Sequence, residues 1–170
     1  MKRFLVILVC SQIIFFSCTD SQIPRKISPV NWEQRKVSLA KTDSLVLGQS
    51  YLSVYSEIYS ITEHRTINLT VTVSLRNISP TQDVYLLNAN YYNTSGELLR
   101  TYFKDPIALK PLETLEIIID EKDKHGGSGA NFVFEWALKS ENDPEPNFEA
   151  VMISTSGQQG ISFLTQGIKL

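Results

Sequence analysis

The stretch TINLTVTVSLRN, residues 66–77, decides the fold. In it Ile67, Leu69, Val71, Val73 and Leu75 alternate with Asn68, Thr70, Thr72, Ser74 and Arg76. An unbroken period of two marks a half-buried strand with one face on a core and the other in water. Working outward, NFVFEWAL (131–138) repeats the pattern, with Phe132, Phe134, Trp136 and Leu138 on one face and Glu135 on the other. It recurs more weakly in VYLLNANYY (84–92) through Tyr85, Leu87, Ala89 and Tyr91, and in LEIIID (115–120) through Leu115, Ile117 and Ile119. Turn signals separate these runs: NISPTQD (77–83), NTSG (93–96), DPIALKPLE (105–113), a glycine loop, SENDPEPN (140–147) and TSGQQG (155–160). Nothing longer than a turn shows helical spacing. Seven to eight strands without the continuous apolar runs of a parallel sheet predict an all-β fold, a single antiparallel β-sandwich domain over residues 45–170. The expected architecture is immunoglobulin-like, with a Trp on a core strand but without the paired cysteines of antibody domains.

The chain opens with Lys2 and Arg3, runs apolar from Phe4 to Phe16 with Ser11 and Gln12 interrupting, and turns polar in FFSCTDSQ (15–22). These are the charged and apolar regions of an export signal over residues 1–17. A membrane span needs roughly 20 apolar residues, and this run is shorter. Cys18 follows a small residue, Ser17, in a pattern that resembles the lipobox of bacterial lipoproteins, although Phe15 stands where Leu is usual. The resemblance implies a diacylglyceryl group on the Cys18 sulfur and a membrane-anchored protein of the bacterial cell envelope. The alternative is ordinary signal cleavage, for instance after Thr19, leaving an incidental cysteine. Cys10 falls inside the apolar run, so the mature chain has one thiol at most and no internal disulfide.

Residues 18–44 are mixed in charge, carry Pro24 and Pro29, and read as a tether, with Trp32 either packing back on the domain or doing little. Without Lys2 and Arg3 the 16 basic residues fall to 14 against 18 acidic, a net charge of −4. That balance and the lack of a clustered basic face disfavour nucleic-acid binding. Membrane attachment would come from lipid, because no polybasic surface adds to it.

The loop in DEKDKHGGSGANFVFEW (120–136) invites comparison with phosphate-cradling loops. Those lead into a helix, whose N-terminus supplies free amides, and this one leads into a strand. Neither G-x-G-x-x-G nor a G-K-[ST] ending is present. One reading makes Gly126, Gly127 and Gly129 backbone residues, with positive φ in a long hairpin connection or a close approach to a neighbouring strand. The other makes them part of a binding surface. If strands alternate in direction, the turns around Glu63 and His64, at Asn93 to Gly96, at Lys124 to Gly129 and at Ser156 to Gly160 share one end. Candidate binding residues there are Gly126, Gly127, Ser128, Gly129, Asn131, Gly157, Gln158 and Gly160, able to hold a peptide, a glycan or an anion through backbone amides and neutral side chains.

No catalytic constellation is legible. His64 and His125 are the two histidines, and G-x-S-x-G, H-E-x-x-H and C-x-x-C are all absent. Asp120, Glu121 and Asp123 lack the spacing of a calcium loop and read as a solvated strand end, so neither a metal nor a cofactor is expected. Asn68, Asn77 and Asn93 head glycosylation triplets that an exported bacterial protein would not use.

LSVYSEIY (52–59), LTVTVSLRN (69–77), YYNTSGELLRTY (91–102), LKPLETLEIII (109–119), GGSGANFVFEW (126–136) and EAVMISTSGQQGISFLTQG (149–167), in this order, resemble the bacterial domain-of-unknown-function family 3124. Similar members tend to carry export signals, often of lipoprotein type. The resemblance implies no activity, ligand or catalytic residue. The reading that follows is a non-catalytic binding or adaptor module of the envelope, whose partner is an envelope protein or a glycan. The alternative is an envelope hydrolase acting on a glycan or peptide through carboxylates brought together by the fold.

Overall fold

The computed structural model describes residues 29–40, 44–155 and 160–170. In chain order the strands are β1 (Val46–Val54), β2 (Glu57–Ser60), β3 (Thr62–Asn68), β4 (Thr70–Arg76), β5 (Val84–Tyr92), β6 (Leu98–Thr101), β7 (Ile107–Leu109), β8 (Thr114–Ile119), β9 (Ala130–Leu138), β10 (Asn147–Ser154), β11 (Ile161–Gln166) and β12 (Ile168–Lys169). All the pairings are antiparallel. One sheet has the order β12–β1–β9–β5–β6, with β7 also paired to β5; the second has the order β11–β10–β4–β8; β2 and β3 make a small sheet of their own. The fold is thus an all-β antiparallel sandwich, but with twelve strands among the described residues where alternation predicts seven or eight. The surplus comes from pieces such as β6, β7 and β12, of four, three and two residues, too short to show a period.

The core is built by the predicted alternation. Leu69, Val71, Val73 and Leu75 are fully buried, as are Phe132, Phe134 and Trp136, with Leu115, Ile117 and Ile119 of β8 beside them. Across the interface Phe134 of the first sheet stacks on Phe148 of the second, with ring centroids 4.2 Å apart. Trp136 buries its ring while its indole Nε1 donates to Ser50 Oγ at 3.0 Å, so the polar atom is satisfied. The quoted stretch 66–77 spans two elements, because Ile67 and Asn68 close β3 and the chain passes at Leu69 into β4.

One alternation fails, and for a local reason. In β5 the register shifts between Leu86 and Asn88 against β9. Such a bulge inserts one residue and reverses the facing of what precedes it. Val84 and Leu86 therefore face the core ahead of the shift, and Ala89 and Tyr91 after it. Tyr85 and Leu87, expected inward, belong to the other face, where Lys139 lies over the Tyr85 ring at 5.8 Å.

Both open sides of the sandwich are crossed by chain. Part of the expected tether, residues 29–40, lies along the side where β6, β7 and β8 are the edges. Trp32 meets Phe103 with centroids 5.0 Å apart. Arg35 Nη1 donates to Glu113 Oε1 at 2.7 Å, Lys36 bridges Ile107, and Val37 N donates to Pro106 O at 2.8 Å. On the opposite side the chain passes from β11 in the second sheet to β12 in the first, pinned by bonds from Gly167 N to Phe148 O and from Leu170 N to Gln49 O.

Candidate functional site at the glycine end

Strand register identifies one end of the sandwich. Val54 pairs with Ala130 and Tyr92 with Asn131 in the first sheet. Thr70 pairs with Ile153 and Val71 with Ile119 in the second. Leu69 N donates to Ser56 O, tying the two together at the corner after β1. The segment Asp120–Gly129 therefore crosses from β8 in one sheet to β9 in the other, and is not the hairpin connection that one reading expects.

The glycine turn at Gly126–Gly129 is stitched on two sides. Ser56 N donates to Gly127 O and Thr94 N to Gly126 O, both at 3.0 Å. Thr94 Oγ1 donates to Gly126 O at 3.0 Å and accepts from Gly129 N at 2.9 Å. Beneath the turn, Ser56 Oγ and Tyr91 Oη share a buried hydrogen bond of 2.9 Å. A Cβ on Gly126 would lie 2.0 Å from that Tyr91 oxygen. Gly127 has φ +72°, and a Cβ there would meet Thr94 Oγ1 at 2.7 Å. Gly126 itself has φ −67°. Close approach therefore accounts for Gly126 and positive φ for Gly127, while Gly129 has only a 3.3 Å neighbour in Thr94 Cγ2. The amide of Gly127 donates to Lys124 O, and that of Gly129 to Thr94, so both are committed inside the fold.

Other predicted positions fall as follows. Ser128 is half-buried in the turn, and Asn131 stands at the end of β9 opposite Ser53. Gly160 ends the β10–β11 connection, whose flanks Ser154 and Ile161 pair at this same end. Gly157 and Gln158 lie outside the described residues. The turn expected around Glu63 and His64 is instead centred on Ile61, and both residues are within β3.

Beside the glycine turn lies a constellation that sequence reading misses. Tyr91, Leu99, Arg100, Asp123 and His125 line a cleft of about 240 Å³. Arg100 Nη2 reaches Asp123 Oδ2 at 3.2 Å, and His125 Nδ1 reaches Asp123 Oδ1 at 2.8 Å. Burial pushes the Asp123 carboxyl up, but hydrogen bonds from His125 and Arg100 outweigh it and leave the group below its ordinary value. Burial raises the Tyr91 and Tyr102 hydroxyls, against the Ser56 bond in the first case and the Arg100 charge in the second. Arg100 Nη1 also donates to Tyr102 Oη at 3.1 Å. The cleft thus presents a guanidinium edge, an ionised carboxylate and an imidazole with 82% of its side chain exposed. Such a set forms directional hydrogen bonds to a polar ligand. The local signal was Asp-x-His at 123–125; the guanidinium arrives from β6, through a hairpin whose offset no local pattern encodes.

Sandwich and cleft define a class, an all-β antiparallel domain with an ion-paired recess at one end. Residues 48–170 match the family described as protein of unknown function, DUF3124, and the chain belongs to that family. Neither a curated protein nor a solved structure matches it.

Proposed function

We propose that the chain is a lipid-anchored binding or adaptor protein of a bacterial cell envelope, without catalytic activity, whose glycine end contacts an envelope protein or glycan. The observation that carries the binding role is the recess of Tyr91, Leu99, Arg100, Asp123 and His125, set against a turn held by hydrogen bonds on two sides. Polar groups held by a rigid base lose little freedom on binding, which favours recognition. The hydrolase alternative requires two carboxylates in one recess. Among the described residues, the recess at Arg100 and the clefts near Trp136, Lys139 and Trp32 each hold a single side-chain carboxylate: Asp123, Glu135, Asp83 and Glu116. That distribution supports binding over hydrolysis.

Anchoring rests on Cys18, outside the described residues. A diacylglyceryl group together with an amide-linked chain holds a protein firmly, whereas one acyl chain does so marginally. Cys18→Ser is expected to release the protein from the membrane pellet into the soluble fraction; retention equal to the parent would remove the anchor from the reading. For the recess, Arg100→Ala is expected to reduce capture of the envelope partner in a pull-down carried out at a temperature where the variant is fully folded; capture equal to the parent would remove the recess from the reading.

A further inference from the structure

The hairpin β2–β3 leaves the sandwich at the glycine end as a two-stranded sheet of its own. Its tip is Ile61, with φ +67° and 86% of its surface exposed. Left-handed backbone is strained for a β-branched side chain, and Gly or Asn is the ordinary occupant. Two adverse choices therefore coincide there, strained backbone and a large apolar group in water; Leu112 at the opposite end, with φ +59° and 68% exposure, shares both but is not β-branched and lies away from the end where Pro29 docks. Tyr59, on the adjoining strand, is 63% exposed. Strain that persists at an exposed position is grounds to look for a function there.

The path of the chain indicates what that tip meets. Pro29 and Val30 line a cleft with Tyr102, Ile117 and Ile118. Ile119 pairs with Val71, and Leu69 joins Ser56 just before Glu57, the first residue of the hairpin. From that cleft the chain runs away towards Asp83, Tyr85 and Lys139 at the other end, where Val37 and Leu39 lie. Pro29, the first described residue, thus lies on the side of the sandwich nearer the end from which the hairpin emerges. From Cys18 to Pro29 is eleven residues, a reach of at most about 40 Å fully extended.

We infer that in the anchored protein the β2–β3 tip seats in the headgroup boundary of the bilayer that holds the anchor, with Ile61 against the acyl region and the Tyr59 ring at the interface. This rests on the lipid-anchor reading above. Tyr suits that depth because one side of the ring is apolar while the hydroxyl stays wet. Two side chains are too small an apolar surface to bind a membrane alone, but a tether raises their local concentration at the bilayer so that a weak contact is populated. Exposed His64 and Arg65, three and four residues beyond Ile61, lie beside the tip at headgroup level.

The test uses the full, processed chain reconstituted in phosphatidylethanolamine–phosphatidylglycerol vesicles, with an environment-sensitive fluorophore on Ile61→Cys or, as control, on Leu112→Cys. Leu112 is exposed and precedes Thr114, which pairs with Arg76 at the opposite end. The expected result is a blue shift at 61 and strong quenching by spin-labelled lipid, with the label at 112 remaining in water. An unlabelled Ile61→Asn variant, freed of backbone strain, keeps its fold and its anchor but protects the glycine end less from hydrogen exchange on vesicles. Mass spectrometry of Cys18 separates the two readings. A lipidated chain whose label at 61 stays in water overturns the inference alone, and an unmodified Cys18 overturns the anchor and the inference together.

Discussion

Gly126 and Gly129 are three positions apart in one turn, yet the structure gives them different roles. An Ala methyl at Gly126 collides with the Tyr91–Ser56 pair, so Gly126→Ala should lose about 2–4 kcal/mol through overpacking and a displaced buried hydrogen bond. Gly129→Ala needs only a few tenths of an ångström from Thr94 and should stay within about 1 kcal/mol of the parent. Equal losses in a denaturant titration would contradict the close-approach reading. Asp123 sets a pH dependence. Its folded carboxyl titrates below the ordinary 3.8, so its contribution is present above the unfolded value and is lost as pH falls through the lower, folded one. Asp123→Asn should therefore be less stable than the parent near neutrality and show a flatter decline in acid; parallel stability curves for the two would remove that role. Composition alone flags the glycine turn, but the reason for Gly126 is a tyrosine 35 residues away from its serine partner, and that distance hides it from any local reading.

For a whole strand, legibility depends on whether the two faces differ in environment. β9 runs between β1 and β5 and puts Phe132, Phe134 and Trp136 into the core, so its period of two is plain in the sequence. Trp136→Ala should lose about 3–5 kcal/mol. Glu135 on the outer face has one long contact, accepting from Gln49 Nε2 at 3.4 Å, and Glu135→Ala should stay within about 0.5 kcal/mol of the parent. Similar losses for both in chemical denaturation would refute the two-faced strand. β5 shows where such reading stops. Its bulge reverses one half of the strand relative to the other, and no residue type in VYLLNANYY announces the extra residue. β2–β3 is opaque for another reason: its residues 61–66 are all exposed, so no burial imposes a period on them.

At the scale of the molecule, the segment taken for a tether contributes to the fold from Pro29 onward. Trp32 caps Phe103 and packs against the core, and Trp32→Ala should cost about 2 kcal/mol, less than a fully buried Trp because this one is only partly buried. An unchanged thermal midpoint would mean that the strap rides on the sandwich without supporting it. Sandwich class and core composition were readable because they repeat along the chain; the strap, the side crossings and the Arg100–Asp123–His125 recess depend on which distant segments meet.

The pairing of β1 has a consequence in time. Its partners are β9 and β12, so Val46 meets Leu138 and Tyr51 meets Ile168. The first long strand thus stays without its neighbours until nearly the whole polypeptide has been synthesised. Distant pairings slow folding, because the entropy of closing a long loop must be overcome before any contact rewards it. An early fragment cannot complete either sheet, since β4 also waits for β8 and β10. The nascent polypeptide therefore cannot close either sheet until its late strands have been made, and only local hairpins such as β2–β3 and β5–β6 can form before then.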